Sequence, residues 1–316
     1  MTQMMNRRRA LLTGGAGLAA LAGGGFWLAS RGGRGTPEML GASFPASSPS
    51  PSAVPTPSPA ASREAAAVVP VQPGKPGVAH AALTESTTGL VSVNTSGWWS
   101  WALMDRQTGR IIGSPNFHQT NMTASMIKAW LAADYLRRAT ESGTTPSTAR
   151  MNMISTMIRD SANEPASTLY GELGKSATIG RLVSICKLTD SKAGDGWSTT
   201  ALSARDTCRI AHCIGNGTAA GPKWTNWLVN EMRQVRGTGD FGIRKAWPAA
   251  EQKDIAIKNG WVDRQALGFW TVNCMALGST WTMAVLTRPP LSKPWTTGGD
   301  TARSIATQLR TRTDLV

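Results

Sequence analysis

Ser125-Met126-Ile127-Lys128 places a hydroxyl and an amine three residues apart. On a helix, positions i and i+3 share a face. Met126, Ile127, Ala129, Trp130, Leu131, Ala132 and Ala133 cover nearly every direction around that helix. The spacing therefore predicts a helix over 125–139 that is buried all round. Burial disfavours the charged form of an amine, so Lys128 can take a proton from a neighbouring serine. The pair is a candidate nucleophile and base. The same residues also fit a plain helix start, with Thr123 or Ser125 as N-cap and Lys128 reaching to solvent.

Two further groups could complete such a site. Ser161-Ala162-Asn163 falls at a junction between two predicted helices. A hydroxyl there can relay a proton, and an amide can bind a substrate. Ser161 and Glu164 also fit a capping box that opens the second helix. Lys258-Asn259-Gly260 ends an apolar strand-like run. A cation there can hold a carboxylate, and glycine lets a ligand approach the backbone. Asn-Gly is equally the strongest short hairpin signal.

The elements that must position these groups follow from local pattern. Residues 97–105 and 110–113, separated by Gln107-Thr108-Gly109, read as a hairpin. Helices are predicted over 125–139, 151–159, 165–173, 202–214 and 224–235. Strands are predicted over 254–258, 269–275 and 281–287, and Asp300 caps a terminal helix over 301–312. Strands at both ends with helices between them predict an α+β fold. It has an antiparallel sheet packed with helices and an all-helical lobe.

The first ninety residues read differently. Asn6-Arg7-Arg8-Arg9-Ala10-Leu11-Leu12 precedes an uncharged run to Ser30. This is the layout of an export signal, with paired arginines that fit a twin-arginine address, or of an N-terminal membrane anchor. Residues 31–90 are dominated by Ser, Pro, Ala and Gly and lack apolar periodicity. They are expected to form an extended spacer. The domain proper is then 91–316, exported and held in or near a cell wall.

The 316 residues are 41% hydrophobic, which excludes a wholly disordered protein. Of the +14 net charge, +4 falls on residues 1–90, leaving +10 on the rest. A basic surface fits nucleic acid, but export and the lack of any DNA-reading motif point to anionic wall material instead. Three His leave little room for a metal site, and Cys208, His212 and Cys213 match no common zinc spacing. No metal or other cofactor is expected, and a monomer is. Cys186, Cys208, Cys213 and Cys274 allow one or two disulfides, with three full pairings open. Among the tryptophans, Trp261 stands beside the third motif.

In this order, S-x-x-K, S-x-N and K-x-G resemble the signature of the serine β-lactamase and penicillin-binding protein superfamily. Residues 157–174 and 198–206 resemble the family's flanking helices, and the likeness runs from about Gly97 to the C-terminus. It implies a five-stranded antiparallel sheet beside a helical lobe. It implies that Ser125 is acylated, Lys128 is its base and Ser161 protonates the leaving nitrogen. Asn163 would touch the substrate amide or Lys128. Lys258, with Asn259 and Gly260, would bind a carboxylate. The N–H groups of Ser125 and Trp261 would form an oxyanion hole. The implied ligands are a β-lactam or a peptidoglycan-derived D-alanyl peptide.

Departures from the pattern are specific. Ala162 stands where Asp is usual, and Asn259 where Thr or Ser is usual. Residues 188–198 contain no Glu to activate a deacylating water, only Asp190 and Asp195. Inefficient penicillin hydrolysis is therefore expected. The alternative is a protein that binds wall peptide or polymer without turnover.

Overall fold

The computed structural model describes residues 84–87 and 89–311. The signal or anchor expected over 1–30, and nearly all of the spacer expected over 31–90, lie outside the described residues. A central sheet is built from β1 (Thr84–Ser86), β2 (Trp98–Asp105), β3 (Ile111–Gly113), β6 (Ala256–Arg264), β7 (Phe269–Leu277) and β8 (Trp281–Arg288). Its order is β1-β3-β2-β8-β7-β6. The five strands from β3 to β6 are antiparallel, as expected. The short β1 adds to the edge in parallel with β3, inside the segment read as spacer. A separate two-stranded ribbon joins β4 (Thr120–Met122) to β5 (Ala201–Ser203).

The inner strands are buried at almost every position, so both faces of the sheet must be covered. Helix α5 (Ala204–Gly215) sets Gly215 against Leu277, and α8 (Thr296–Leu309) sets Gly298 against Val272. Those two β7 residues differ by an odd number of positions, so the helices lie on opposite faces. The remaining lobe is helical. Helix α1 (Lys128–Glu141) packs against α2 (Thr148–Arg159), α3 (Asn163–Glu172), α4 (Ser176–Ile185) and α6 (Pro222–Arg233). A one-turn helix, α7 (Ala249–Gln252), leads into β6. Among the described residues, no helix is long and apolar enough to cross a membrane.

Several boundaries moved for identifiable reasons. The terminal helix starts at Thr296, two residues after Pro294 with Trp295 as its N-cap, and Asp300 lies inside it rather than at its cap. Gly298 and Gly299 read locally as helix breakers. A Cβ on Gly298 would lie 2.4 Å from Thr287 Oγ1, so close packing favours glycine there. Residues 201–203 form β5, and Ser203 caps α5 by accepting from the Asp206 amide at 3.1 Å. Helix α4 was not foreseen, because Gly180 and its β-branched residues weaken the local signal. Cys186 and Cys213 form a disulfide that ties the end of α4 to α5. Cys208 and Cys274 are free and buried, and burial pushes both thiols up to about 12.

Helix α1 is buried at every position from Lys128 to Asp134, as predicted, with Lys128 and Asp134 at 0% exposure, but Arg138, Thr140 and Glu141 near its end are exposed, so it is not buried all round. Asp134 accepts from Arg181, Arg137 and Thr178 Oγ1, and Thr178 in turn accepts from the Trp130 indole at 3.0 Å. This buried carboxylate joins α1 to α4. Asp134→Ala leaves Arg181 without its counter-ion and Arg137 with Glu141 alone. The expected loss is about 3–5 kcal/mol, read as a lower midpoint in calorimetry or urea unfolding. An unchanged midpoint would show that the network contributes nothing.

Candidate active site

Strand β4 delivers the chain to Ser125. Asn273 of β7 accepts from Asn121 Nδ2 at 2.9 Å and donates to the Met122 carbonyl at 2.7 Å. The Thr123 amide donates to the Thr200 carbonyl at 2.9 Å. Ala124 then takes a left-handed φ of 48°. Such strain in a non-glycine residue persists only where its surroundings enforce it. Residues Ala124–Ile127 form a 3-10 turn, and α1 begins at Lys128 itself. In a 3-10 turn, side chains i and i+3 eclipse. Lys128 Nζ accordingly lies 2.9 Å from Ser125 Oγ.

The α2–α3 junction supplies the second group. Ser161 is also left-handed, at φ 61°. It does not cap α3, whose N-cap is Ala162 without a side-chain bond. Its carbonyl instead accepts from Lys128 Nζ at 2.6 Å, and Asn163 Oδ1 accepts from the same amine at 2.7 Å. The Ser161 hydroxyl accepts from Lys258 Nζ at 3.0 Å and stands 3.5 Å from Lys128 Nζ.

The hydrogen-bond inventory decides what Lys128 can do. A carbonyl and an amide oxygen can only accept. Neutral Lys128 must therefore point both N–H bonds at Ser161 O and Asn163 Oδ1, which leaves its lone pair toward the Ser125 hydroxyl. Burial lowers the Lys128 pKa to about 7. Lys258 is driven well below its ordinary value by burial, and secondarily by Lys128. Among the described residues, no carboxylate hydrogen-bonds either amine. Trp197 covers Lys128 with its ring centroid 4.9 Å from Nζ.

The third group lies within a strand, not a hairpin. Strand β6 pairs with β7 without a break from Ala256 to Arg264. Nine paired positions outweigh the local Asn-Gly turn signal. Lys258 is fully buried and meets the site through Ser161. A Cβ on Gly260 would lie 2.5 Å from Thr123 O, 2.6 Å from Met126 N and 2.7 Å from Ser125 N. Glycine is thus what lets β6 approach the nucleophile turn and bring Trp261 beside Ser125. Asn259 faces elsewhere. Its Nδ2 donates to Gly239 O at 3.0 Å and Phe241 O at 2.8 Å, so the carboxylate contact expected of it has no side-chain atom in the cleft.

Ser125, Ser161, Asn163 and Trp261 line a cleft of about 670 Å³. Trp197, Asp160, Arg236 and Thr238 also line it and were not singled out from the sequence. The Asp160–Arg236 pair could have been suspected only from adjacency to Ser161, because its partners are 76 residues apart. Arg236 donates to both oxygens of Asp160, at 2.6 and 2.9 Å. The segment before Ser198 is held by the buried Asp206, which accepts from the amides of Thr189 and Asp190 and from Ser191 Oγ. Burial raises the Asp190 pKa, but its bonds to Arg205 and Ser203 more than offset that and hold it below the usual value. Asp195 is exposed and outside the cleft lining. Among the described residues, no group of three or more metal-ligating side chains is present.

The sheet and the helical lobe together form the fold of the β-lactamases. No protein-family model matches the chain, and no curated protein sequence matches it. Among solved structures, it is similar to a β-lactamase from Chitinophaga pinensis, at 16% identity and TM-score 0.57, covering 68% of this chain and 93% of that one. It is also similar to a class A β-lactamase from Mycobacterium abscessus, at 16% identity and TM-score 0.56, with 68% and 93% covered. A Xanthomonas campestris β-lactamase gives 15% identity and TM-score 0.56, with 69% and 92% covered.

Proposed function

We propose that the protein is an exported serine acyl-hydrolase or acyltransferase that forms an acyl-enzyme on Ser125. One observation carries this reading: Lys128 Nζ lies 2.9 Å from Ser125 Oγ and is held there by two oxygens that can only accept, so the neutral amine turns its lone pair to Ser125. The likeness to β-lactamases suggests a β-lactam or a D-alanyl wall peptide as acyl donor.

Ser125 Oγ attacks the carbonyl carbon as its proton passes to Lys128. The N–H groups of Ser125 and Trp261 receive the developing oxyanion. The carbon–nitrogen bond then breaks. Ser161 gives its proton to the leaving nitrogen and is reprotonated by Lys128, which restores the neutral amine. Lys258, hydrogen-bonded to the Ser161 oxygen, favours that transfer. With Lys258 buried, a substrate carboxylate would meet Arg236 and Thr238 on the cleft wall. Water or an amine then releases the acyl group from Ser125.

Binding without turnover is the second reading. It is favoured by one feature of the cleft: among the described residues its only carboxylate, Asp160, is engaged by Arg236.

Cells labelled with a fluorescent penicillin test the proposal. Wild-type protein recovered from the extracellular or wall fraction should carry one label per chain by intact mass, and Ser125→Ala none. An adduct that persists in Ser125→Ala, or no adduct on the wild type, would sink it. Labelled protein confined to the cytoplasm would sink the export.

A further inference from the structure

Asn259, the departure from the family pattern, is buried and spends its amide on the carbonyls of Gly239 and Phe241. It thereby anchors the 239–241 segment. Phe241 sets its ring edge-on to Trp261 at 5.5 Å and to Trp295 at 5.1 Å. Trp295 stacks on Trp261 at 5.6 Å with 24° between the planes. Trp261 is thus gripped by two other rings while still lining the cleft with Ser125. Trp197 lines the same cleft. Its indole is held by a bond to Ser167 Oγ at 3.3 Å and by the Lys128 amine beneath it.

Two braced indoles line the cleft of Ser125, so an aryl group bound there has aromatic surface to pack on. Aromatic side chains held in place offer a large contact area with little ordering cost. We infer that Trp261 determines specificity, selecting acyl donors with an aryl group near the scissile carbonyl. Trp295, Phe241 and Asn259 act as positioning residues that hold its indole. This inference rests on the acyl-enzyme reading and names the substrate class of that site.

The test compares two penams that differ only in the side-chain amide, phenylacetyl against acetyl. Second-order acylation of the wild type should favour the aryl compound by roughly tenfold, the scale of a well-stacked ring. Trp261→Ala should reduce that ratio at least threefold. Trp295→Ala and Asn259→Thr, which leave the cleft-lining indole in place but unbraced, should reduce it less and in the same direction. A wild-type ratio near one, or a ratio that survives Trp261→Ala, overturns the inference. If neither penam acylates the wild type, the acyl-enzyme reading fails. Calorimetric binding of the two penams to Ser125→Ala then still judges the aryl packing. Tighter aryl binding that is lost in Ser125→Ala/Trp261→Ala upholds it, and equal binding overturns it. Trp261→Phe, which keeps a ring, should retain most of the ratio and controls for folding.

Discussion

Lys128→Met should slow acylation of Ser125 by about 10³-fold while making the protein more stable at neutral and acidic pH. The first effect is the loss of the general base proposed for Ser125, within the usual range of such losses. In the wild type, the rate should rise with pH through about 7 and then level off, because the base is the unprotonated amine and its pKa is about 7. The variant should lose that limb. The stability effect has the opposite sign for a physical reason. The folded-state amine titrates near 7, against an ordinary value of 10.5. Between those values the unfolded chain binds the extra proton, so stability rises as pH rises from about 7 to about 10.5. Below 7 both states are protonated, and the full cost of burying the charge is present. Lys258, also shifted down, adds a contribution of the same sign. Methionine fills similar space without a charge to desolvate. Single-turnover rates and unfolding midpoints at pH 6 and pH 9 check both effects. A variant that is inactive but less stable at pH 6 would mean that Lys128 is a structural cation and not a strained base.

Gly260→Ala should reduce acylation by about 10²-fold or more, with at most a moderate loss of stability. The new methyl would meet the backbone of Thr123, Ser125 and Met126 within 2.7 Å, and none of those atoms is the end of a flexible side chain. Strand β6 and the nucleophile turn must therefore move apart. That movement separates the Ser125 and Trp261 amides, which have to converge on one oxygen. Each donor lost from such a pair costs on the order of 3 kcal/mol in the transition state. The loss should fall on the acylation rate constant and leave noncovalent affinity nearly intact. If Gly260→Ala lowers affinity but spares that rate constant, the two amides are not the oxyanion donors.

Particular residues show how much could be read in advance. The burial of the first half of α1 was legible because the residues after Lys128 are apolar on every side, and a lysine within such a run needs a chemical reason; the exposure of Arg138, Thr140 and Glu141 in its last turn was not. The five antiparallel strands were legible as apolar runs. The short elements were not, since three-residue β1, β4 and β5 carry no periodicity. Helix α8 was misplaced because glycine lowers helix propensity, whereas packing on Val272 and Thr287 requires it. Asn259-Gly260 read as a turn because turn chemistry is local and strand pairing is not. The role of Asn259 was invisible for the same reason. Its partners are 18 and 20 residues away, and only the folded chain brings their carbonyls to it.

The sequence by itself determined the chemistry available: a serine and a lysine at i,i+3, a second serine with an asparagine, and a lysine with a glycine. Side-chain type and local spacing are carried by each residue and its near neighbours. Tertiary structure alone decided which of these groups meet. It put two lysines on one serine hydroxyl, 97 residues apart for Lys258 and Ser161. It removed both amines from water and turned Asn259 toward the carbonyls of Gly239 and Phe241. It also placed Trp197 over Lys128, in the segment where a carboxylate was sought. Those outcomes depend on desolvation and on contacts between distant segments, and neither exists until the sheet and the helical lobe close on each other.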